Sequence, residues 1–426
     1  MTIPRLKQVD SSISLLSEGY LFVKNRCDEV QSDIFETRIL FEKVLCFYGE
    51  EAAAALYNPD LFTRKRAMPA PGLMLLQDFG STQLLDDSSH QHRKSMLLSL
   101  MGRASIEKMV DLMTEEWLNF MHRWESRDRV ILHGEFEEIL CRAACKWAGV
   151  PLSNDEAKER TRELAAMIDG AGSVGPRNLR GHFLRGRTER WARGLIHALR
   201  AGKRKFDPKS PISVIATHRG LDGQVLPTRV AAVELINLLR PTVAVARYAT
   251  FAAHALHFHP ECRTRILNEP GFIERFVQEV RRFYPFFPVV GGRARKDFEW
   301  KGHSIRKNQW VLLDLYGTNH DPRVWRHPDQ FDPDRFKTWN KSPNNFVPQG
   351  GGNVHTGHRC AGEWLTISLL KRMAFMLCRS VKYTVPAQDL TIHLNRFPAI
   401  PESRFIIENV HAERFTGQLR QEQTLP

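Results

Sequence analysis

The chain has 426 residues, of which 42% are hydrophobic, and a formal net charge of +13. This length suffices for a large core and exceeds the usual size of one domain, so length alone favours two domains. No apolar run is long enough to span a bilayer, and the first residues, MTIPRLKQVD, lack the apolar core of a signal peptide. The charge favours anionic ligands or a weak attraction to anionic lipid over nucleic acid, because no nucleic-acid motif accompanies it.

The number and spacing of the cysteines indicate the redox compartment of the protein. There are seven, an odd number, and they are scattered without any CxxC spacing. This pattern favours reduced thiols over a framework of disulfides, so we expect a cytoplasmic protein. No internal repeat or low-complexity tract divides the chain.

The first predicted elements are short strands and a helix between residues 37 and 57, where VLCFYG precedes the helical EEAAAALY. The next stretch, MPAPGLMLLQDFGSTQLLDD, has the prolines and glycines of a loop, yet it is apolar. Such a loop must lie against other parts of the protein, either as the wall of a substrate channel or simply packed on the core. The residues alone favour neither.

Helices are predicted for most of the following 170 residues. In SSHQHRKSMLLSLMG a serine can cap a helix whose apolar residues recur every three or four positions. His90 and Arg93 lie three apart and share one face, which in isolation is more often a solvated face. Further helices are predicted over residues 106–124, 135–148, 155–168 and 177–204, the last of which is densely basic.

A long apolar helix is predicted over Thr228–Phe258, and its middle contains two residues that such a helix disfavours. Pro241 lacks an N–H, and its ring collides with the carbonyl four residues back, so we expect a kink there. Arg240 has a charge whose burial without a partner is costly. The alternative is that Arg240 extends to water, but apolar residues flank it on both sides.

After this helix, FIERFVQEVRRFYPFFP is also helical and places Glu279 and Arg282 on one face, three residues apart. The segment DPDRF follows and contains Arg335. The chain between them alternates like short strands, as does the tail from Val381 onward. An E-x-x-R pair alone is a weak pattern.

Residues 346–363, FVPQGGGNVHTGHRCAGE, precede a stretch with helical periodicity. A thiol at a helix start is favoured as the thiolate, because unpaired N–H groups and the helix dipole stabilise the anion. The glycines let the backbone turn tightly and let a flat ligand approach closely. His358 and Arg359 add donors beside Cys360. A lone cysteine in a turn is more often simply buried, but loop, helix and cations together predict an iron ligand.

This stretch resembles the cysteine-ligand loop of the cytochromes P-450, the haem-thiolate enzymes, whose usual pattern is Phe-x-x-Gly-x-Arg-x-Cys-x-Gly. The chain keeps Phe346, Gly350, Cys360 and Gly362 but has extra residues between the phenylalanine and the cysteine. PQGGG, a short spacer and then HRCAGE is similar to the bacterial fatty-acid peroxygenase branch of that family. The E-x-x-R pair, DPDRF and the glycine–cysteine loop follow in the family's order and spacing, so the resemblance extends over nearly the whole chain.

The resemblance implies a mainly α fold with a minor β-rich region, formed by residues 1–426 as a single haem domain, which overrides the estimate from length. It implies haem b with Cys360 as the axial thiolate. Other implied cofactor-binding residues are the H-x-x-R pair His90 and Arg93, which would bind haem propionates, together with His358 and Arg293.

The resemblance also implies a structural network. Glu279, Arg282 and Arg335 would form a buried group of ion pairs that clamps the cysteine loop to the core.

The implied chemistry depends on the middle of the long helix. Ordinary P-450 enzymes activate O₂ with electrons from a reductase and have an acid beside an alcohol there, whereas this chain has Arg240-Pro241-Thr242. The peroxygenase branch has this arginine–proline pair, and by resemblance Arg240 binds the carboxylate of a long-chain fatty acid. A guanidinium offers a planar, two-pronged match to a carboxylate. The bound carboxylate then serves as general acid and base for hydrogen peroxide, and no redox partner is required.

Anchoring the acid fixes which C–H bonds face the iron, so oxidation is expected at the α or β carbon. Gln83 aligns with a position where family members that decarboxylate fatty acids often have histidine, and its neutrality favours hydroxylation. The alternatives are a decarboxylase that forms terminal alkenes, a reductase-dependent monooxygenase, and a non-catalytic haem or fatty-acid carrier. The other predicted substrate-binding residues are apolar: Phe79, Phe286, Phe287, Val289 and Val290.

Overall fold

The computed structural model describes residues 2–69, 74–78 and 80–413, which form a mainly helical fold with a smaller β-rich part. The helix predicted to reach residue 204 ends at Arg200, and the other predicted helices lie within a few residues of their expected bounds. The helices are Ser12–Glu18 (α1), Phe22–Val30 (α2), Glu50–Leu56 (α3), Asp87–Ser99 (α4), Arg103–Trp124 (α5), Leu132–Ala148 (α6), Asn154–Gly170 (α7), Pro176–Arg200 (α8), Pro211–Thr217 (α9), Thr228–Phe258 (α10), Glu261–Asn268 (α11), Phe272–Phe283 (α12), Leu315–Asn319 (α13) and Glu363–Arg379 (α14).

The strands in the described ranges form three sheets. The largest has the order β1-β2-β8-β5-β3, in which β2 runs parallel to β8 and the other pairs are antiparallel. Its central strand β8 is buried along its whole length, as expected for a strand covered on both faces. The strands are Ile34–Ile39 (β1), Glu42–Phe47 (β2), Phe62–Thr63 (β3), Arg129–Ile131 (β4), Val289–Ala294 (β5), Phe298–Trp300 (β6), His303–Ile305 (β7), Trp310–Asp314 (β8), Val381–Thr384 (β9) and Ile406–Ala412 (β10).

Helix α10 passes through the main hydrophobic core. It begins after Pro227 and ends at Phe258, with Pro260 two residues beyond, as the sequence predicts. Helices α6, α7, α8 and α14 pack around it, which explains why most of its residues are apolar. The helix continues through Pro241, and Thr242 Oγ1 donates to Leu238 O at 2.8 Å in the next turn back. The kink at Pro241 stays a prediction.

The cysteine loop, residues 346–362, lies between two parts of the core. At its start Val347 packs into the cluster of the five-stranded sheet, and at its end helix α14 packs on α10 and α12. The loop is therefore held at both ends by buried structure. None of the helices in the described ranges combines the length and apolarity that crossing a bilayer requires.

Candidate functional site

The cysteine loop makes two tight turns against one aromatic ring. Gly350 and Gly352 have φ angles of 93° and 73°, and a Cβ on Gly350 would lie 2.7 Å from Tyr57 Oη. Only glycine fits both the backbone conformation and the space. Beyond the turns, the N–H of Cys360 donates to Gln349 O at 3.1 Å, and Gln349 Nε2 lies 3.7 Å from the sulfur. The loop thus fixes the backbone of Cys360 and leaves its side chain half-buried.

The electrostatics at Cys360 differ from the sequence-based expectation. Burial raises the pKa of the thiol, and Glu363 adds to this, whereas the N–H of Gly362, Lys94 and Arg281 act in the opposite direction. The helix start therefore favours the thiolate as predicted, but desolvation outweighs it in the protein alone. A bound metal ion reverses this balance, because a coordinating thiol is deprotonated outright.

A salt-bridge network lies directly beside Cys360. Arg281 is 1% exposed, forms an ion pair with Glu363, and donates to Gln349 Oε1 at 3.1 Å. Arg359 reaches the same carboxylate, with Nε 2.5 Å from Oε2. Burial would raise the pKa of Glu363, but the two guanidinium groups hold it below its usual value. The cysteine loop is thereby tied to α12 and to the start of α14.

The E-x-x-R residues form a second network, farther from Cys360 than the first. Glu279 and Arg282 are fully buried and share two hydrogen bonds of 2.7 and 2.8 Å, and Arg335 Nε lies 3.1 Å from Glu279 Oε1. Arg282 also donates to the carbonyl of Asn319 at 3.0 Å, and Arg335 to that of Gln330 at 2.8 Å. The three predicted partners therefore meet. Their direct contacts hold the segment around residues 326–335, and the cysteine loop is held by Arg281.

His90 and His358, both expected to bind the cofactor, lie next to each other. Their rings lie 4.0 Å apart, and His358 Nε2 is 3.9 Å from Asp86 Oδ1. Burial lowers the pKa of His90 to about 3 and that of His358 to about 4, so both imidazoles are neutral at pH 7. Arg295 Nη2 lies 3.4 Å from the same Asp86 oxygen. The backbone N–H of Arg64 donates to Asp86 Oδ1 at 3.3 Å, and its buried Nη2 has no hydrogen-bond partner among the described residues.

Two arginines expected at this cluster bond elsewhere. Arg93 Nη1 donates to Glu234 Oε1 at 3.2 Å on helix α10 and to Gly80 O at 3.0 Å. Arg293 lies in a cleft on the sheet, where it pairs with Glu42 at 2.6 Å. The charged residue of α4 that reaches the cysteine loop is Lys94, which is buried and donates to Arg359 O at 2.7 Å.

These contacts explain which residues the sequence analysis missed. Lys94 follows His90 by four positions, so the two share a helix face. The H-x-x-R spacing predicts Arg93, one position earlier, instead. Nothing local marks the Arg281–Glu363 pair, which joins residues 82 positions apart.

Helix α10 presents Arg240 and Pro241 as neighbours with opposite surroundings. Pro241 is exposed, whereas the residues on either side of it are buried, so solvent reaches the middle of the helix at this residue. Arg240 is 5% exposed, and Nη1 donates to Leu75 O at 2.9 Å. Burial lowers the pKa of Arg240, and the nearby Arg185 adds to this. Arg185 has Asp78 and Glu189 as partners, but no carboxylate in the described ranges pairs with Arg240.

The predicted substrate-binding residues divide into several groups. Gln83 lies beside α10, where Asn237 Nδ2 donates to Gln83 Oε1 at 3.3 Å. Phe286 stacks on Tyr248 of α10 at 4.3 Å between ring centroids, and Phe287 is 41% exposed. Phe79 lies outside the described residues. Two further candidates, which begin strand β5 and pack on the sheet clusters, are Val289 and Val290.

Solved structures match this fold over nearly the whole chain. Cytochrome P-450SP alpha (CYP152B1) in complex with (R)-ibuprophen superposes with a TM-score of 0.92, at 42% identity over 94% of this chain and 99% of that one. Cytochrome P-450EX alpha (CYP152N1) with myristic acid superposes with a TM-score of 0.93, at 42% identity over 96% of this chain and 99% of that one. The chain belongs to the cytochrome P-450 family.

Within that family the chain groups with the CYP152 enzymes. A variant of cytochrome P-450 OleT in complex with arachidonic acid gives a TM-score of 0.94 and 31% identity, over 98% of this chain and 100% of that one. The family model described as cytochrome P450 matches residues 256–390. Rhazimal synthase of Alstonia scholaris is 26% identical over 150 residues, which are 30% of this chain and 30% of that protein.

Members of this family are haem-thiolate enzymes, and haem is the cofactor of this protein. The described residues fit it. Cys360 offers a half-buried sulfur on a loop whose glycines allow a flat ligand to approach. Nη2 of Arg64, which has no partner among the described residues, offers a donor to a haem carboxylate, and the Arg64 charge lies close enough to His90 and His358 to lower the pKa of both.

Proposed function

We propose that the protein uses hydrogen peroxide to hydroxylate long-chain fatty acids at the α and/or β carbon. The observation that supports this most strongly is Arg240, a buried guanidinium without a carboxylate partner in the described ranges. A buried cation is costly unless it is paired, and a ligand with a carboxylate supplies the pair. The solved relatives with bound myristic acid and arachidonic acid support a fatty acid as that ligand.

Binding at Arg240 sets the geometry of the reaction. The guanidinium holds the carboxylate through charge-assisted hydrogen bonds, and the exposed Pro241 beside it borders the cavity that receives the first carbons of the chain. Fixing one end of the substrate limits oxidation to the C–H bonds near that end. Phe286, which packs on α10 through Tyr248, is the proposed apolar wall.

The proton transfers are assigned to the substrate's own carboxylate. Haem held by Cys360 would supply the oxidising chemistry, namely cleavage of an O–O bond and transfer of one oxygen atom to a C–H bond. The carboxylate on Arg240 accepts a proton from hydrogen peroxide and returns it to the departing oxygen as water. The balance is R–H + H₂O₂ → R–OH + H₂O, so no reductase is required.

The Arg240-Pro241 pair also separates this proposal from its alternatives. A reductase-dependent monooxygenase needs a protein group to deliver protons in the middle of the long helix, and Pro241 and the bound carboxylate occupy that place. A decarboxylase that forms terminal alkenes shares the binding mode and differs only in product. We also propose one continuous haem domain over residues 1–426 and, from the unpaired cysteines, a cytoplasmic location.

The test is turnover of a long-chain fatty acid by the purified holoenzyme with hydrogen peroxide alone, with products identified by mass spectrometry. We expect 2- and 3-hydroxy acids. A short carboxylic acid should restore peroxide-driven oxidation of a substrate that has no acid group, because the base arrives with the carboxylate. Turnover that requires a reductase and ignores peroxide would support the monooxygenase instead.

A further inference from the structure

The hairpin that joins β1 to β2 has an unusual tip, which consists of Leu40 and Phe41. Ile39 pairs with Glu42, so these two residues form the whole loop, and their φ angles are 52° and 62°. Two-residue loops with positive φ at both positions favour Asn-Gly. Bulky side chains are strained in this conformation. The chain therefore has two large apolar residues where the backbone disfavours them.

Solvent exposure disfavours the same two side chains, because Leu40 is 62% and Phe41 79% exposed. The tip is bonded to the start of α1, where Leu40 N donates to Ser12 Oγ at 2.8 Å and Phe41 N to Asp10 Oδ2 at 2.6 Å. This part of the chain has three more exposed apolar side chains: Val9, Ile13 and Leu16. We call these three residues and the tip the apolar patch. Exposed apolar groups gathered in one place indicate an interaction surface.

Cations lie next to the apolar patch. Arg38 and Lys43 flank the tip and are paired directly across the two strands, where like charges destabilise a sheet. Asp10, the carboxylate within the patch, accepts from the N–H groups of Ser12 and Phe41. The local charges thus give the hairpin a further reason to be unstable unless an anion is nearby.

Lys43 also lines a cleft of about 510 Å³ between residues 2–5, the start of β2 and the turn before β8. The cleft is lined by five cations and two carboxylates, so its net charge is +3. Both carboxylates are paired, Glu36 with Arg5 at 3.1 Å and Glu42 with Arg293 at 2.6 Å. The other cations of the cleft are exposed: Lys43, Arg306 and Lys307. We call this the cationic cleft, and it begins one residue after the tip.

The two surfaces together restrict the partner. A second copy of the chain would match the apolar patch, but a two-fold interface there would bring two sets of cations close together. Nucleic acid would match the cations and leave the leucine and phenylalanine of the tip in water. A lipid surface with anionic headgroups matches both, because acyl chains accept the apolar side chains and phosphates pair with the cations.

We propose that the apolar patch and the cationic cleft bind the protein to the surface of a membrane that contains anionic lipid. Leu40 and Phe41 enter the boundary between headgroups and acyl chains, and the cleft holds headgroup phosphates. Such binding is peripheral and needs no helix that spans the bilayer. It does not depend on the reaction proposed above.

The first experiment compares the unmodified holoenzyme with the double variant Leu40→Asn/Phe41→Gly. Asn-Gly is the preferred sequence for this turn, so the variant should be at least as stable to denaturant, and lost binding cannot come from unfolding. Binding is measured by cosedimentation with vesicles of phosphatidylcholine and phosphatidylglycerol in equal parts, and with vesicles of phosphatidylcholine alone. We expect the unmodified protein to bind the anionic vesicles more tightly, and the variant to bind them at least about tenfold more weakly.

The second experiment removes charge. Arg306→Gln/Lys307→Gln should weaken binding to the anionic vesicles roughly 30-fold, which is about 1 kcal/mol for each cation at such a surface. The matched control removes the same charge beyond the end of α8, where Lys203→Gln/Lys205→Gln should change binding less than about twofold. The control for the tip is Leu221→Ser, at an exposed leucine in the loop before α10, which should bind normally.

Equal weakening by the two charge variants would mean that net charge alone attracts the protein, and would refute the site. Normal binding by Leu40→Asn/Phe41→Gly would refute insertion of the tip. Absence of binding to anionic vesicles would overturn the whole proposal. A dimer in solution that the Asn-Gly variant dissociates would in that case assign the apolar patch to a second copy of the chain.

Discussion

The buried charges around the cysteine loop and those along helix α10 are arranged in opposite ways. Beside Cys360, Arg281 and Arg359 share Glu363, and one step away Glu279 pairs with Arg282 and with Arg335. On α10, Arg240 has only a backbone carbonyl as its partner in the described ranges.

The difference has a physical meaning. A buried ion pair is complete without a ligand, so it serves to fix structure. A buried charge that lacks a partner raises the free energy of the protein. A ligand of opposite charge that pairs with it removes this cost. The first arrangement therefore indicates a scaffold for the cofactor, and the second indicates a recognition site.

The largest expected effect is at the sulfur itself. Cys360→Ala removes the only side-chain atom proposed to bind the iron, so the ferrous carbonyl complex should lose the absorption typical of thiolate ligation, and turnover should stop. Cys378→Ala, at a half-buried thiol near the end of α14, is the control and should keep both. A thiolate-type carbonyl spectrum in Cys360→Ala would contradict the assignment.

The next largest effect should come from breaking the complete network. Glu279→Ala leaves two buried guanidinium groups without their carboxylate, at a cost of roughly 3–5 kcal/mol in the free energy of unfolding. Glu107→Ala, on α5, breaks an exposed pair with Arg103 and should cost at most about 1 kcal/mol. Denaturant unfolding of the two holoproteins measures the difference. Equal stabilities would show that the buried Glu279 network does not supply this free energy.

Arg240→Ala should have the reverse signature, with binding lost and the scaffold kept. Losing a charge-assisted hydrogen bond weakens fatty-acid binding by about 1.5–3 kcal/mol, roughly 10- to 150-fold in Kd. Peroxide-driven turnover should fall with it, and short acids should not restore it, whereas haem content and the carbonyl spectrum should survive. Arg187→Ala, at a partly exposed arginine paired with Glu159, is the control. Normal fatty-acid hydroxylation by Arg240→Ala would refute substrate-supplied acid–base catalysis.

Two neighbouring residues of α4 allow a finer test, because Lys94 bonds to the cysteine loop and Arg93 bonds to α10. Lys94→Met leaves the carbonyl of Arg359 without this donor and should weaken haem retention by about 1–3 kcal/mol. Arg93→Met should lose haem more slowly than Lys94→Met does. Haem transfer to apomyoglobin measures both rates. Faster loss of haem from Arg93→Met than from Lys94→Met would support the expected role of Arg93 in haem binding.

Much of this arrangement could be predicted from sequence, and the residues show why. The bounds of α10 follow from Pro227, Pro260 and the apolar run between them, which are local signals. The Glu279–Arg282 pair is also local, because three positions on a helix place both side chains on one face.

The choice between Arg93 and Lys94 could not be predicted in this way. It depends on Glu234, which is 141 positions from Arg93 and faces it only after α10 packs against the Gly80–Leu84 turn. Long-range pairs of this kind have no sequence spacing, and the same holds for Arg281 with Glu363.

The smallest expected effect concerns the product, and it depends on Gln83. Its amide oxygen accepts a hydrogen bond from Asn237, so the side chain is held on the α10 side of the site by a neutral contact. A neutral amide transfers neither a proton nor an electron well, so 2- and 3-hydroxy acids should dominate and terminal alkenes should be few. Gln83→His supplies a titratable ring at the same place and should raise the ratio of alkene to hydroxy acid. We expect an increase of at most about tenfold, which corresponds to a change of about 1.4 kcal/mol in the difference between the two activation barriers. Gas chromatography of products from one fatty acid, at equal peroxide, measures the ratio. Predominant alkene from the unmodified enzyme would mean that proton and electron delivery do not depend on this position, and that the decarboxylase alternative is correct.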